Sequence, residues 1–180
     1  MDFKLLDSRD MFESRVFKLR RDHIRFPTGR EAYFDLLQHN GAVAILPVDD
    51  EGRIWFVRQY RPAVGGMILE IPAGTLEVGE EPEACAAREI REEIGMAADK
   101  LEFLGNFYLA PGYSTEYMHL YLAKDLRPDP LEQDIDEYIK VEQYPVAEVY
   151  AMLHRNDFDD AKTVAALGLA RSHFVDHLEG

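Results

Sequence analysis

Alternating apolar and polar residues predict β-strands in the first third of the chain. Residues 15–26 and 31–38 have this pattern, and the turn-forming sequence PTGR between them predicts that they pair as a hairpin. The apolar run AVAILPV, residues 42–48, predicts a strand buried on both faces, because it has no polar face to turn toward solvent. The sequence DDEG then predicts a turn into a partner strand over residues 53–60.

In the rest of the chain, strand patterns alternate with helical ones. A helix is predicted from Pro82, a residue suited to the first helical turn, to Gly95, a residue suited to helix termination. Further strands are predicted by MILEI, LEFLGNFYLA, EYMHLYLA and YIKVEQY, and further helices by VAEVYAMLHR and AKTVAALGLARSHFVDHL. This order predicts an α/β fold in which helices pack on the faces of a mixed sheet, and no linker divides the chain.

Composition and charge restrict the functions open to this chain. It has 180 residues, 47% of them hydrophobic, with a net charge of −14 and a pI near 4.8. It therefore lacks the positive field needed for nonspecific binding to nucleic acid or to an anionic membrane. The single cysteine, Cys85, excludes an intramolecular disulfide, and no apolar stretch approaches the roughly 20 residues that span a bilayer. We expect a cytoplasmic protein without nucleic-acid or membrane partners, in which Cys85 is a small buried residue.

The predicted helix at Pro82 is dense in glutamate. Because each helical residue turns by about 100°, Glu89, Glu92 and Glu93 fall within an arc of about 100° on one face. Like charges at this spacing destabilise a helix by about 0.2–0.5 kcal/mol per pair. Clustered carboxylates are the oxygen ligands that Mg²⁺ prefers. Helix composition alone leaves two interpretations, a solvated acidic face or a metal site.

The spacing of the glutamates favours the metal site. From Gly74 to Met96 the chain satisfies the pattern G-x5-E-x7-R-E-U-x-E-E-x-G-U at all nine constrained positions, where U is a bulky apolar residue. This is the Nudix motif, so the chain resembles the Nudix hydrolases, which cleave a nucleoside diphosphate linked to another moiety. The resemblance implies their α/β/α sandwich with a mixed central sheet.

The resemblance also implies roles for single residues. Glu89, Glu92 and Glu93 match the metal-binding acids, Glu93 being catalytic as well, and Arg88 matches the catalytic arginine that orients a glutamate of the motif. Just upstream, LEIPAG resembles the strand that leads into the motif of ADP-ribose pyrophosphatases, where the carbonyl matching Ala73 reaches a metal. The implied cofactor is Mg²⁺, with Mn²⁺ as the alternative.

A second marker resembles the ADP-ribose pyrophosphatase branch of this family. Pro111, in LAPGYSTE, lies fifteen positions beyond the motif, where that branch has proline. By the same resemblance Arg61 matches an arginine that contacts substrate, and Glu116 matches a glutamate that holds the terminal ribose. Taken singly, Pro111 has the alternative interpretation of a turn residue, and Arg61 that of a surface charge.

The loop LEQDIDEYIKV is expected to supply the group that activates the attacking water. Glu137 matches an acid that touches metal and is a candidate catalytic residue, whereas Ile135 occupies the expected position of the base. Asp136, Asp134 or Glu132 could take that role, and a solvated acidic loop is an equal alternative.

Residues 1–40 resemble the N-terminal antiparallel β-arm through which this branch forms homodimers, and residues 41–180 then form the catalytic domain. In such a dimer Phe17 would stack on the nucleotide base and Arg30 would approach it. The alternatives are that Phe17 is a core residue and that Arg30 is a turn charge.

The expected activity is Mg²⁺-dependent hydrolysis of ADP-ribose or a related nucleoside-diphosphate sugar to a nucleoside monophosphate and a sugar phosphate. Mg²⁺ would neutralise the diphosphate and activate water. One alternative is a GDP-mannose or other nucleotide-sugar hydrolase. An alternative of another class is a sensor that binds ADP-ribose without turnover.

Overall fold

The structure is a computed structural model that describes residues 2–133 and 138–178. Its strands are β1 (Lys4–Glu13), β2 (Phe17–Arg25), β3 (Glu31–His39), β4 (Ala42–Pro47), β5 (Arg53–Arg61), β6 (Gly66–Glu70), β7 (Ala73–Thr75), β8 (Met96–Tyr108), β9 (Tyr117–Pro128) and β10 (Ile139–Pro145). Its α-helices are α1 (Pro82–Ile94), α2 (Val146–His154), α3 (Ala161–Ala170) and α4 (Val175–Leu178). No helix within these residues is long and apolar enough to cross a membrane.

The central sheet is mixed, as predicted. Its strands lie in the order β7, β4, β9, β8, with β4 parallel to β9 and the other pairs antiparallel. A separate antiparallel sheet has the order β10, β5, β6. The short strand β7 places Gly74 opposite Val43, so the start of the glutamate-rich segment lies at the edge of the central sheet.

Strand β4 is buried along its whole length, as its apolar sequence predicts. Its side chains alternate between two apolar clusters, because successive residues of a strand point to opposite faces. Leu46 packs in the cluster that contains Leu167 of α3, and Ile45 packs in the cluster that contains Ile90 of α1. Helices thus cover both faces of the sheet, which is the predicted α/β/α sandwich.

The N-terminal arm is a sheet of three strands. The predicted hairpin of β2 and β3 is present, and β1 pairs antiparallel with β2, a strand that the sequence pattern does not predict. Every residue of β1 is exposed, and β2 is the strand with which β1 pairs among the described residues. The arm contacts the rest of the chain through β3, where the Leu37 amide donates a hydrogen bond of 2.7 Å to the carbonyl of Tyr113.

The C-terminal helical segment is divided, whereas its sequence predicts one continuous helix. Helix α3 is capped at its N-terminus by Asp160, whose side chain accepts a hydrogen bond from the Thr163 amide. A 3-10 turn, Arg171–Phe174, then separates α3 from α4. The tighter turn brings Phe174 into the core, where it is 2% exposed.

Candidate active site

Helix α1 begins and ends at the predicted residues. Pro82 occupies its first turn, where the missing amide proton costs nothing. Gly95 ends it with φ at 71°, and its amide donates to the carbonyl of Ile90. Strand β8 starts at the next residue, so the helix lies directly against the central sheet.

Two acids of α1 are buried. Glu89 is 9% exposed and Glu93 is 2% exposed, although both carry charge. Buried carboxylates need compensating partners, since an isolated charge loses its hydration. Arg91 points away from them, and its Nε donates to the carbonyl of Asp129.

The partner of Glu93 is the backbone that leads into α1. Its Oε2 accepts a hydrogen bond of 3.0 Å from the amide of Ala73. Glu89 packs against the next residue, Gly74. A Cβ atom added there would lie 1.8 Å from Glu89 Oε1, so only glycine leaves space for this carboxylate. The two acids therefore meet two consecutive residues of β7.

Arg88 connects the other glutamates. Its Nε and Nη2 each donate to one oxygen of Glu80 at 3.0 Å. Its Nη1 donates to Glu89 at 2.7 Å and to Glu92 at 2.8 Å. The hydrogen bonds from Arg88 lower the pKa of Glu80 to about 2, and those to Glu80 raise the pKa of Arg88. Arg88 therefore binds three carboxylates and favours the ionised form of Glu80.

Arg61 is bound to a buried glutamate. Its Nε and Nη2 donate to the two oxygens of Glu70, each at 2.8 Å, and the side chain is 39% exposed. Hydrogen bonding to Glu70 raises the pKa of Arg61, and the negative charges of Glu93 and Asp160 add to this effect. The guanidinium thus lies within electrostatic reach of Glu93 on α1.

The NUDIX domain model matches residues 38–167 of the chain. The chain belongs to the NUDIX domain family. It is 36% identical to an ADP-ribose pyrophosphatase of Bacillus subtilis (strain 168), over 93% of this chain and 91% of that protein. It is 37% identical to an ADP-ribose pyrophosphatase of Mycobacterium tuberculosis, over 97% of this chain and 84% of that protein. A GDP-mannose pyrophosphatase of Yersinia pestis is 32% identical, over 75% of this chain and 72% of that protein.

A solved structure of an ADP compounds hydrolase superposes with a TM-score of 0.87 at 29% identity. The match covers 97% of this chain and 95% of that one. The predicted Nudix fold is therefore confirmed, and so is the predicted class of enzyme, a Nudix hydrolase.

Nudix hydrolases generally depend on a divalent metal, and the carboxylates of α1 are the type of donor that such an ion binds. Hard cations bind carboxylate and carbonyl oxygens. The motif acids Glu89 and Glu93 lie beside the backbone of β7. In residues 2–133 and 138–178, no three or more His, Cys, Asp and Glu side chains are grouped so as to hold a metal ion. Arg88 lies between Glu89 and Glu92, while Glu93 bonds to Ala73. The metal roles of Ala73 and the three glutamates remain predictions.

The Nudix substrate residues predicted beyond the motif lie on a loop fixed by the arm. Pro111 is exposed in a turn closed by the amide of Tyr113, which donates to the carbonyl of Ala110. Glu116 is half-buried, and its carbonyl accepts from the amide of Leu109.

Two predicted nucleotide contacts lie on the arm. Phe17 is half-buried, with its ring centroid 6.3 Å from that of Phe12. Arg30 is exposed in the β2–β3 turn, where its carbonyl accepts from the Phe26 amide. Their contacts with a nucleotide base stay predictions.

The predicted catalytic loop is described only at its start. Glu132 is exposed, and the side chain of Gln133 donates to the carbonyl of Glu93 at 3.4 Å. Glu137, Asp136 and Asp134 lie outside the described residues, and so does Ile135 at the expected position of the base.

Cys85 is fully buried below the acids, as predicted. Burial raises the pKa of its thiol, and the charge of Glu89 adds to this effect. A thiol kept protonated is a poor nucleophile, so its contribution is packing.

Sequence reasoning missed the buried partners of Arg61. Glu70 is 2% exposed and also pairs with Lys162, which is 7% exposed. The signal in the sequence was a glutamate in the otherwise apolar strand MILEI, where a buried charge requires a cation.

Proposed function

We propose that this Nudix hydrolase cleaves the diphosphate linkage of ADP-ribose or a related nucleoside-diphosphate sugar, giving a nucleoside monophosphate and a sugar phosphate. The observation that carries the proposal is the contact of Glu93 and Glu89 with Ala73 and Gly74, with the cationic Arg61 nearby. Neighbouring carboxylates suit a divalent cation, and a guanidinium near them suits a diphosphate.

Glu89, Glu92, Glu93 and the carbonyl of Ala73 would hold the metal, with Glu137 as a further ligand. The ion is Mg²⁺, with Mn²⁺ as the alternative. When bound, it supplies charge neutralisation of the diphosphate and activation of water.

Arg88 orients the motif acids. Its two bonds to Glu80 fix the guanidinium, so that Nη1 is directed at Glu89 and Glu92. Its positive charge also offsets the mutual repulsion of the neighbouring carboxylates. Because Arg88 holds the metal-binding carboxylates in one geometry, they need less reorganisation when substrate binds.

Arg61 would bind a phosphate oxygen, since a guanidinium anchored on one side by a carboxylate is already oriented. Glu116 would accept hydrogen bonds from the terminal ribose, and Pro111 would shape the loop beside it. Glu137 or Asp136 would remove the proton from the attacking water.

Residues 1–40 would form a dimerisation arm on the catalytic domain of residues 41–180. Strand β1 exposes large apolar side chains, with Leu5 at 60% and Phe12 at 56% exposure. Exposed apolar patches are typical of interfaces. In the homodimer Phe17 and Arg30 would approach the nucleotide base. A cytoplasmic location agrees with the single buried thiol.

A GDP-mannose pyrophosphatase is the second candidate, since several relatives from Yersinia carry that name. Hydrolysis of ADP-ribose and GDP-mannose by the purified protein with Mg²⁺ separates the two. Release of AMP from ADP-ribose at the higher kcat/KM supports the first proposal, whereas preferential release of GMP from GDP-mannose supports the second.

A further inference from the structure

A buried group of charges lies behind Arg61. Glu70 accepts two hydrogen bonds from Arg61, and its Oε2 also accepts one from the ammonium of Lys162. That ammonium lies 3.0 Å from Oδ1 of Asp160. Although burial acts to raise it, the pKa of Glu70 is held below its usual value by the hydrogen bonds from Arg61 and by the charge of Lys162. Glu70 is therefore a buried carboxylate shared by two cations.

The same group fixes the backbone that leads to Ala73. Asp160 caps helix α3 by accepting from the amide of Thr163 at 3.0 Å and from its hydroxyl. The Thr163 hydroxyl oxygen accepts a hydrogen bond of 3.0 Å from the amide of Ile71. One helix terminus thus supports both the partner of Arg61 and the segment two residues before Ala73.

The sum of charges suggests what Lys162 does. Arg61 and Lys162 carry two positive charges, Glu70 and Asp160 carry two negative ones, and the N-terminus of α3 adds about half a positive charge. The group is therefore slightly positive. Without Lys162 the group would carry a net negative charge. The carboxylates of Glu70 and Asp160 would then fully offset the charge of Arg61.

We propose that Lys162 is a positioning residue that neutralises Glu70 and so leaves Arg61 with net positive charge for the diphosphate of the substrate. This inference rests on the proposed function only in placing a diphosphate beside Arg61. Lys162 itself is buried and acts through Glu70.

The test is a double-mutant cycle of K162M and E70Q, with K162R as the variant that retains the charge. Binding of inorganic pyrophosphate with Mg²⁺ is measured by calorimetry, kcat and KM are measured for ADP-ribose, and the thermal midpoint of each variant is recorded. We expect K162M to weaken pyrophosphate binding and to raise KM by about tenfold, with kcat changed less. We expect K162R to remain within about threefold of the unmutated protein, because it keeps the positive charge.

The cycle separates an electrostatic role from a structural one. If Lys162 acts through the charge of Glu70, K162M has an effect of about twofold or less in the E70Q background. The proposal is overturned if K162M lowers the pyrophosphate affinity equally in the unmutated protein and in E70Q. It is also overturned if K162M leaves pyrophosphate binding unchanged. The absence of pyrophosphate binding by the unmutated protein overturns it as well. If K162M does not fold, the test compares E70Q with E70Q/K162M. Equal pyrophosphate affinities in these two variants support the proposal, and a much weaker affinity in the double variant overturns it.

The two proposals fail separately. If the unmutated protein hydrolyses no nucleotide sugar but its pyrophosphate binding depends on Lys162 as described, the proposed function fails and the role of Lys162 stands. If hydrolysis occurs and the cycle shows no coupling, only the role of Lys162 fails.

Discussion

Glu93 accepts a hydrogen bond of 3.0 Å from the backbone amide of Ala73, twenty positions earlier in the chain. The bond joins helix α1 to strand β7 and fixes one oxygen of a carboxylate that is 2% exposed. Both the side chain and the backbone at this junction are thereby oriented before any substrate binds.

The first prediction concerns the charge of Glu93. Glu93→Gln keeps an oxygen that can accept from Ala73 but removes the negative charge that a metal requires. Turnover should therefore fall by about 10²-fold or more, with little change in the thermal midpoint. Steady-state hydrolysis and thermal unfolding are measured together. Glu83→Gln, an exposed change on the same helix, is the control and should keep its activity. Near-normal turnover in Glu93→Gln removes the argument for a metal site.

The second prediction concerns the space at Gly74. A Cβ in Gly74→Ala would lie 1.8 Å from Glu89 Oε1 and must displace that carboxylate. We expect a higher Mg²⁺ concentration for half-maximal activity and a lower kcat, because a ligand is misplaced. A Cβ at Gly66 meets no atom within 4 Å, so Gly66→Ala is the matched control. Equal Mg²⁺ dependence in both variants contradicts the role of Gly74.

The third prediction concerns stability in acid. Arg58 donates two hydrogen bonds of 2.9 Å to Glu142 and lowers the pKa of that carboxyl from near 4.5 to about 2. A lowered pKa stabilises the fold at pH values above the unfolded pKa, and this contribution is lost as pH falls from about 4.5 to about 2. Glu142→Gln should therefore lower the free energy of unfolding at pH 7 and flatten its decline over that window.

Denaturant unfolding at a series of pH values measures this effect, and Arg58→Gln should flatten the same window because it removes the other partner of the pair. A variant profile that runs parallel to that of the unmutated protein down to pH 2 would show that this ion pair is not the cause.

The fourth prediction concerns the arm. Phe12 is 56% exposed on β1, so Phe12→Asp should place a charge in the proposed dimer interface and shift the protein to a monomer. Light scattering after size exclusion gives the mass directly. Val175→Asp changes an exposed apolar residue on α4 and should leave the dimer intact. A monomer in the unmutated protein, or a dimer unaffected by Phe12→Asp, contradicts the role of the arm.

Local sequence predicted the elements whose signals are local. The apolar run at β4 predicted burial on both faces, and Pro82 and Gly95 predicted the ends of α1, because these signals act within a few residues. The strand β1 was not predicted, since its charged sequence KLLDSRDMFE becomes a strand only by pairing with β2.

In the candidate site, too, local signals were predicted from the sequence and contacts between distant residues were not. The spacing of the motif placed Glu89 and Glu93 on one helix face, and both are buried there. The bond between Glu70 and Lys162 joins residues 92 positions apart, and no local pattern indicates which distant cation will meet a buried acid.

The central claim is metal-dependent hydrolysis of a nucleotide sugar, and its most direct test is AMP release from ADP-ribose with saturating Mg²⁺ and again with excess chelator. We predict AMP and ribose 5-phosphate in equal amounts with Mg²⁺ and no release above background with chelator. Tight binding of ADP-ribose without product at saturating Mg²⁺ would contradict the claim and identify the protein as a sensor of this ligand.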